Sequence, residues 1–293
     1  ELIVSNRFQL ISYSLQHGTK LWASAAIPGA KAMRARDWTL TPMFPCVTPN
    51  RVYARLLHRP AGALAAFERG NGQLLWHVGV PSEEWLLSDP LFLSDKLMCL
   101  RARRTGPHEL AVLLVELDVD SGYPVQETLL LHVRDVWLAR KVCMTTVLPN
   151  QVLATLGGAT FAFDDQGRVR WIRKQVALPI DVETNWVTQH FQPPLMHHDR
   201  VYVTQPGVRC IECLAPQTGT LHWQVALPGV NKIVGFGQEK LIVQTVEGLE
   251  ARRLSDGTRV WQLTLPEISA AVVGLDSILC VQQQQAGTQI HPK

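Results

Sequence analysis

The chain has 293 residues, of which 46% are hydrophobic and 18% are charged. This composition allows a sizeable core and excludes a disordered chain. A net charge of +3 is too small to predict a nucleic-acid-binding protein, and no run of about 18 apolar residues predicts a transmembrane helix.

The chain starts at Glu1 without an initiator Met or a signal peptide. We therefore expect a processed precursor or a trimmed chain, from which targeting information has been removed. A missing N-terminal region would then be able to attach the protein to a membrane. Residues 1–6 predict the second strand of a sheet whose first strand is missing.

Tryptophan is unusually frequent, because nine Trp exceed eight Phe and four Tyr. Five of the nine follow a glycine by four residues, and a sixth copy at Gly122 has lost its Trp. The six glycines are separated by 38 to 54 residues, which indicates an internal repeat. The five intact pairs are Gly18 and Trp22, Gly72 and Trp76, Gly167 and Trp171, Gly219 and Trp223, and Gly257 and Trp261.

Each repeat predicts four short strands. An apolar run precedes each glycine, and about twenty residues earlier an acidic or amide residue opens another β-rich run. Turn residues separate these runs. Units of four strands at this period predict an all-β fold, a β-propeller of four-stranded antiparallel blades. The glycine would supply a positive-φ corner, and the Trp would lie between neighbouring sheets as a structural residue.

These residues resemble a known family. Phe161-Ala-Phe-Asp-Asp-Gln-Gly167-Arg-Val-Arg-Trp171 and Leu214-Ala-Pro-Gln-Thr-Gly219-Thr-Leu-His-Trp223 are similar to the tryptophan-docking repeat of pyrroloquinoline-quinone-like propellers. The resemblance covers essentially the whole chain and implies the fold. The resemblance does not imply one activity, because that family contains quinoprotein alcohol dehydrogenases and also non-catalytic propellers of outer-membrane assembly. The repeats of this chain are more similar to those of the non-catalytic propellers.

The ends of the chain bear on the number of blades. Six turn glycines predict six blades in a single domain over residues 1–293. A strand from about residues 268–282 would complete the first blade, and residues 283–293 would form a polar tail. Because both ends offer a second strand, seven or eight blades remain an alternative if the chain is a fragment.

A second tryptophan series carries the prediction of a partner-binding site. Four Trp recur at the places where one blade crosses to the next, each with an acidic or amide companion, so they could form a partner surface at one mouth of the channel. The alternative is ordinary packing over the inner strands. The residues of this predicted site are Trp38, Trp85, Trp137, Trp186, Asp37, Glu84, Asp135 and Asn185.

The other motifs of the sequence do not predict a catalytic or metal-binding site. Cys210-x-x-Cys213 falls on a strand and favours two unrelated cysteines over a metal site. His197, His198 and His190 favour a solvated loop. The basic clusters Arg101 to Arg104 and Arg252-Arg253 are expected to be solvated, with Arg103 and Arg104 in a protruding hairpin.

The sequence therefore predicts a non-catalytic scaffold for protein–protein interaction, without a cofactor. By family resemblance alone, its place would be the periplasm or cell envelope of a bacterium. The alternative is an enzyme of the dehydrogenase type with pyrroloquinoline quinone and Ca²⁺, or another ion, on the propeller axis.

Overall fold

The computed structural model describes residues 1–27, 43–57, 62–134, 143–174, 192–205, 208–265, 267–274 and 277–282, and every regular element in these ranges is a β-strand. The chain divides into two units: Glu1–Gln175 with Pro216–Gly219, and Val176–Ala215 with Thr220–Lys293. The strands form seven antiparallel sheets that follow one another along the chain.

Four sheets belong to the first unit. The first sheet contains β1 (Leu2–Ser5), β2 (Leu10–Tyr13) and β3 (Lys20–Ala23). The second contains β4 (Cys46–Val47), β5 (Arg51–Leu56), β6 (Ala63–Glu68) and β7 (Leu74–Gly79). The third contains β8 (Glu84–Leu86), β9 (Leu91–Leu93), β10 (Lys96–Gly106), β11 (Glu109–Leu117) and β12 (Pro124–Arg134). The fourth contains β13 (Met144–Leu148), β14 (Gln151–Leu156), β15 (Ala159–Phe163) and β16 (Val169–Lys174).

The second unit holds the strands of the other three sheets. The fifth sheet contains β17 (Leu195–His197), β18 (Arg200–Gln205), β19 (Val208–Leu214) and β20 (Leu221–Ala226). The sixth contains β21 (Val230–Gly237), β22 (Lys240–Thr245), β23 (Gly248–Arg253) and β24 (Arg259–Thr264). The seventh contains only β25 (Ile268–Val273) and β26 (Ile278–Gln282). Four of the seven sheets thus have the predicted four strands in chain order.

Burial explains the difference between middle and outer strands. The middle strands β6 and β14 are buried along almost their whole length, because both faces of the sheet are covered. The outer strand β16 is mostly exposed. Apolar cores lie between consecutive sheets: three join the first four sheets pairwise, and one joins the fifth to the sixth.

The turn before the last strand of each of the first six sheets contains a repeat glycine. All six have φ between 64° and 76°, as the sequence predicts. At four of them a Cβ would overlap the ring of a Trp from the preceding sheet, so that only glycine allows the ring this close. The four pairs are Gly72 with Trp22, Gly122 with Trp76, Gly219 with Trp171, and Gly257 with Trp223. Where the Trp is missing, Thr128 lies against Gly167 instead.

The third sheet departs from the four-stranded pattern. Its innermost strand is interrupted between β8 and β9, and both pieces pair with β10. Pro90 lacks an N–H for the ladder, and the Ser88 hydroxyl accepts the backbone N–H of Leu100 at 2.9 Å. Trp85 therefore lies on a strand, β8, and not in the crossing segment where the sequence places it.

The two ends of the chain have incomplete sheets. Among the described residues, β1 forms a ladder only with β2, so the first sheet has three strands. In the same ranges, β25 and β26 pair only with each other. Completion of the first sheet by a strand from residues 268–282 stays a prediction.

Candidate interaction surface

The third sheet extends beyond its neighbours at one end. Strands β10 and β12 have 11 residues each and β11 has nine, whereas β5, β6 and β7 have six each. The pairing of β11 with β12 continues out to Glu109 and Arg134. We call this end the third-sheet tip and define it as Glu84, Trp85, residues 103–110, Glu127 and residues 131–134.

Trp85 links the tip to the core. It pairs across the strands with Ala102 and packs, half-buried, against the core between the third and fourth sheets. The guanidinium carbon of Arg104 lies over the ring, 5.6 Å from its centroid, which is within the range of a cation–π contact. The same side chain donates to the carbonyl of Pro107 at 3.2 Å. One half of the indole thus faces the core, and an exposed cation covers part of the ring.

Glu84 is the buried anchor of the tip. Its side chain is 5% exposed, and its Oε1 accepts a 2.7 Å hydrogen bond from Nε of Arg103. Its Oε2 lies 3.6 Å from Nη1 of Arg101, whose side chain is only 3% exposed. Within the described residues, Glu84 Oε2 and Arg101 Nε have no hydrogen-bond partner. The carboxylate therefore balances one buried and one half-exposed guanidinium.

Arg103 connects this anchor to the surface. Its Nη2 lies 2.6 Å from Oε2 of Glu127, and the guanidinium is 43% exposed. Hydrogen bonds to Glu127 and then to Glu84 raise the pKa of the Arg103 guanidinium. Because both carboxylates hold the guanidinium, it has a defined position at the surface.

Several of the outermost residues of the tip are exposed polar or charged side chains. Nδ1 of His132 lies 3.2 Å from Oε1 of Glu109, and both side chains are about half exposed. Arg104 and Arg134 are exposed, whereas Leu110 is buried beneath them. The tip thus has an apolar inner side and a charged outer side.

Two expectations about arginines are wrong. Arg101 and Arg252 were expected to be solvated, but they are 2% and 7% exposed. Arg252 donates to Glu250 at 2.6 Å within the sixth sheet, as Arg101 approaches Glu84 in the third. Each buried guanidinium is tolerated because a carboxylate on a neighbouring part of its own sheet compensates the charge. Arg103 and Arg104 do lie in the longest hairpin, as predicted.

The predicted site lies only in part within the described residues. Of the four Trp and four companions, only Trp85 and Glu84 lie in the described part of the chain. The other six lie outside the described residues: Trp38, Trp137, Trp186, Asp37, Asp135 and Asn185. The tip therefore represents one member of the predicted series.

A buried ion pair was missed by sequence reasoning. Nε of Arg55 lies 3.5 Å from Oδ1 of Asp89, with side chains 7% and 13% exposed, and the other carboxylate oxygen accepts the backbone N–H of Phe44 at 2.8 Å. Burial lowers the pKa of Arg55 and raises that of Asp89, and each charge opposes the shift of the other. The available signal was a charged residue within the apolar run of β5.

The cysteines and histidines do not form a metal centre in the described residues, where no group of three or more ligating side chains converges. Cys210 and Cys213 are buried and unbonded to each other. His197 stacks on Phe236 with centroids 4.4 Å apart and meets His198 edge-on at 4.2 Å. His190 lies outside the described residues. Across those same ranges there is also no helix long and apolar enough to cross a membrane.

Known proteins resemble the chain mainly in fold. BamB from Moraxella catarrhalis superposes with a TM-score of 0.60 at 13% identity, over 95% of this chain and 77% of that one. Quinohemoprotein alcohol dehydrogenase from Comamonas testosteroni gives 0.50 at 13% identity, over 78% of this chain and 43% of that one. Sqt1 from Saccharomyces cerevisiae gives 0.53 at 8% identity, over 92% and 73%.

Sequence comparison identifies the family. No curated protein matches the chain. The family described as "Outer membrane protein assembly factor BamB" matches residues 6–262 and, overlapping, residues 161–289. These matches agree with the repeated antiparallel sheets and with the glycine–tryptophan repeat of pyrroloquinoline-quinone-like β-propellers. The chain therefore belongs to the β-propeller family of the outer membrane protein assembly factor BamB.

Proposed function

We propose that the chain is a non-catalytic β-propeller scaffold that binds a protein partner through the third-sheet tip. The observation that carries this proposal is the combination of long strands with a prearranged cluster of Trp85, Arg103 and Arg104. The same proposal includes six blades in one domain, with the first completed by a strand from residues 268–282.

The chemistry of the tip suits protein recognition. Tryptophan and arginine are the residue types that most often dominate binding energy at protein interfaces. Arg103 is held by two carboxylates and Arg104 by a ring and a carbonyl, so little side-chain entropy would be lost on binding. The opposite charges of Glu109 and Arg134, which face each other across the strands, would favour a partner segment with both signs of charge rather than a uniformly charged one.

The proposed compartment rests on the family. The family's description is that of an outer membrane assembly factor, and this supports a place in the bacterial periplasm or cell envelope. The partner would then be a protein of the envelope.

Site-specific photo-crosslinking in the native host cell tests the interaction. A benzophenone side chain replaces Arg104, and the control position is Tyr123, which is 66% exposed at the opposite end of the same sheet. We expect a crosslinked product with one envelope protein at position 104 and none at position 123. Equal crosslinking at both positions, or none at position 104, would contradict the proposal.

The proposal also holds that no quinone cofactor is bound. The rival function is an enzyme that uses pyrroloquinoline quinone with Ca²⁺, and the similarity to a quinohemoprotein alcohol dehydrogenase supports its fold alone. The test is incubation of the purified chain with pyrroloquinoline quinone and Ca²⁺. A large rise in melting temperature together with dye-linked oxidation of alcohols would favour the enzyme and exclude the non-catalytic scaffold.

A further inference from the structure

The buried charges beneath the third-sheet tip do not balance by themselves. Arg101 and Arg103 lie two residues apart on β10, so their side chains share one face of the sheet. The carboxylate of Glu84 lies 3.6 Å from the first guanidinium and 2.6 Å from the second. Because one carboxylate meets two guanidiniums, one positive charge is left over. Glu127 compensates it, since its Oε2 lies 2.6 Å from Nη2 of Arg103.

The two carboxylates hold different edges of the Arg103 guanidinium. Oε1 of Glu84 accepts from Nε at 2.7 Å and lies 2.6 Å from Nη2, so it covers the edge between these two nitrogens. Glu127 accepts from Nη2 at 2.6 Å. Nη1 donates to no acceptor within the described residues, and 43% of the Arg103 side chain is exposed. Glu127 therefore fills only half of the outer edge, which Nη1 and Nη2 form together.

The fold holds the two carboxylates with different firmness. Glu84 lies on β8 directly opposite Arg103, and its side chain is 5% exposed. Glu127 lies on the exposed strand β12, and 34% of its side chain is exposed. Moving Glu84 away would leave the buried Arg101 without its counter-charge. Turning the Glu127 side chain into water leaves no buried charge unpaired, so Glu127 is the exchangeable carboxylate of the two.

We propose that Arg103 determines the specificity of the third-sheet tip by binding a carboxylate of the partner protein in the place of Glu127. This inference rests on the proposed function and names the group that the tip recognises. The partner's carboxylate accepts from Nη1 and Nη2 together, which is the bidentate geometry that arginine favours. It thus makes one more hydrogen bond than Glu127 does, while Glu84 keeps the guanidinium in position.

NMR of the arginine side chains, in the intact chain with isotope-labelled arginine, tests the site directly. The probes are acetyl-Gly-Glu-Gly-amide with a side-chain carboxylate, acetyl-Gly-Gly-Gly with a C-terminal carboxylate, and acetyl-Gly-Gln-Gly-amide with neither. We expect a saturable shift of the Arg103 Nε signal with a carboxylate peptide and no such shift with the Gln peptide. The tighter of the two carboxylate peptides shows whether an acidic side chain or a C-terminus is the source.

A variant and an internal reference make the test specific. Glu127→Gln should bind the carboxylate peptide about fivefold more tightly, because the competing charge of the chain itself is gone. Arg253 is the reference, since its side chain is 59% exposed and pairs with Asp256, which is itself 46% exposed. Its signal should not saturate at the concentrations that saturate Arg103. Absence of a saturable shift at Arg103, equal shifts of both arginines, or equal affinities of wild type and Glu127→Gln overturn the proposal.

Photo-crosslinking at position 104 in the host cell separates this inference from the proposed function. Arg103→Lys keeps the positive charge but loses the planar fork, so the yield of the crosslinked product should fall about fivefold. The control Arg253→Lys should leave the yield unchanged. A yield that Arg103→Lys does not change overturns the inference and leaves the proposed function standing. Absence of the product from every variant contradicts the proposed function, and this inference with it.

Discussion

Replacing Glu84 by Gln tests the charge balance beneath the third-sheet tip. The substitution keeps the volume and leaves an oxygen for Arg103, but it removes the negative charge 3.6 Å from the buried guanidinium of Arg101. Breaking a buried ion pair by removing one partner costs about 3–5 kcal/mol, and we expect the lower end of this range because the amide retains one hydrogen bond. With a urea slope of about 3 kcal/mol/M, the unfolding midpoint would fall by about 1 M.

Urea unfolding followed by far-ultraviolet circular dichroism measures this loss. The matched control is Glu127→Gln, which removes a 34% exposed partner of Arg103 and should cost at most about 1 kcal/mol. Combining Glu84→Gln with Arg101→Met removes both buried charges and should recover most of the stability. Equal midpoints for Glu84→Gln and Glu127→Gln, or no recovery in the double variant, would refute the reasoning.

Three further predictions concern the repeats and the buried groups. Gly219→Ala should lower the free energy of unfolding in urea by about 2–4 kcal/mol, because a φ of 68° strains alanine and the new Cβ overlaps Trp171. Gly18→Ala has space around the Cβ and should lower it by only about 1–2 kcal/mol. Equal losses would contradict a contact between Gly219 and Trp171. Burial raises the pKa of Asp164, but hydrogen bonds from two backbone N–H groups and an arginine lower it by more, so the pKa lies below its usual value. The ionised carboxylate therefore stabilises the fold above its unfolded pKa of about 4, and this stabilisation is lost as the pH falls through the lower folded pKa. The difference in unfolding free energy between the wild type and Asp164→Asn should therefore shrink on acidification. A difference that does not depend on pH would contradict this reasoning. Burial raises the pKa of the Cys99 thiol to about 11, so Cys99→Ser should not change the number of thiols that a disulfide reagent labels in the folded chain at a pH of about 8.

The repeat could be predicted from the sequence because its determinants are local. A glycine at a positive-φ corner, a Trp four residues later and alternating apolar runs all act within one hairpin. These features correctly predict the four strands of the second, fourth, fifth and sixth sheets. The interruption at Pro90 was not predicted, because β8 forms only through pairing with the unusually long β10.

The charged residues of the candidate site were harder to predict. Whether Arg101 is solvated depends on Glu84, which approaches it only after β8 and β10 pair. The same is true of Arg55, on β5, and Asp89, in the interruption between β8 and β9. Trp85 was selected as a residue of a crossing segment, whereas it lies on β8, and its cation–π neighbour, Arg104, comes from a hairpin that sequence reasoning treated separately.

In the third, fifth and sixth sheets, the main-chain carbonyl three residues before the repeat glycine accepts hydrogen bonds from a Trp and from a second side chain of the preceding sheet. Val119, Pro216 and Leu254 have unlike side chains, yet each presents the same main-chain oxygen to two donors. Since every amino acid carries that oxygen, a turn can alter its composition without losing its fit to the preceding sheet, as long as its glycine remains. These three contacts therefore constrain the main chain and the glycine of each turn, and they leave the other side chains of the turn free to vary.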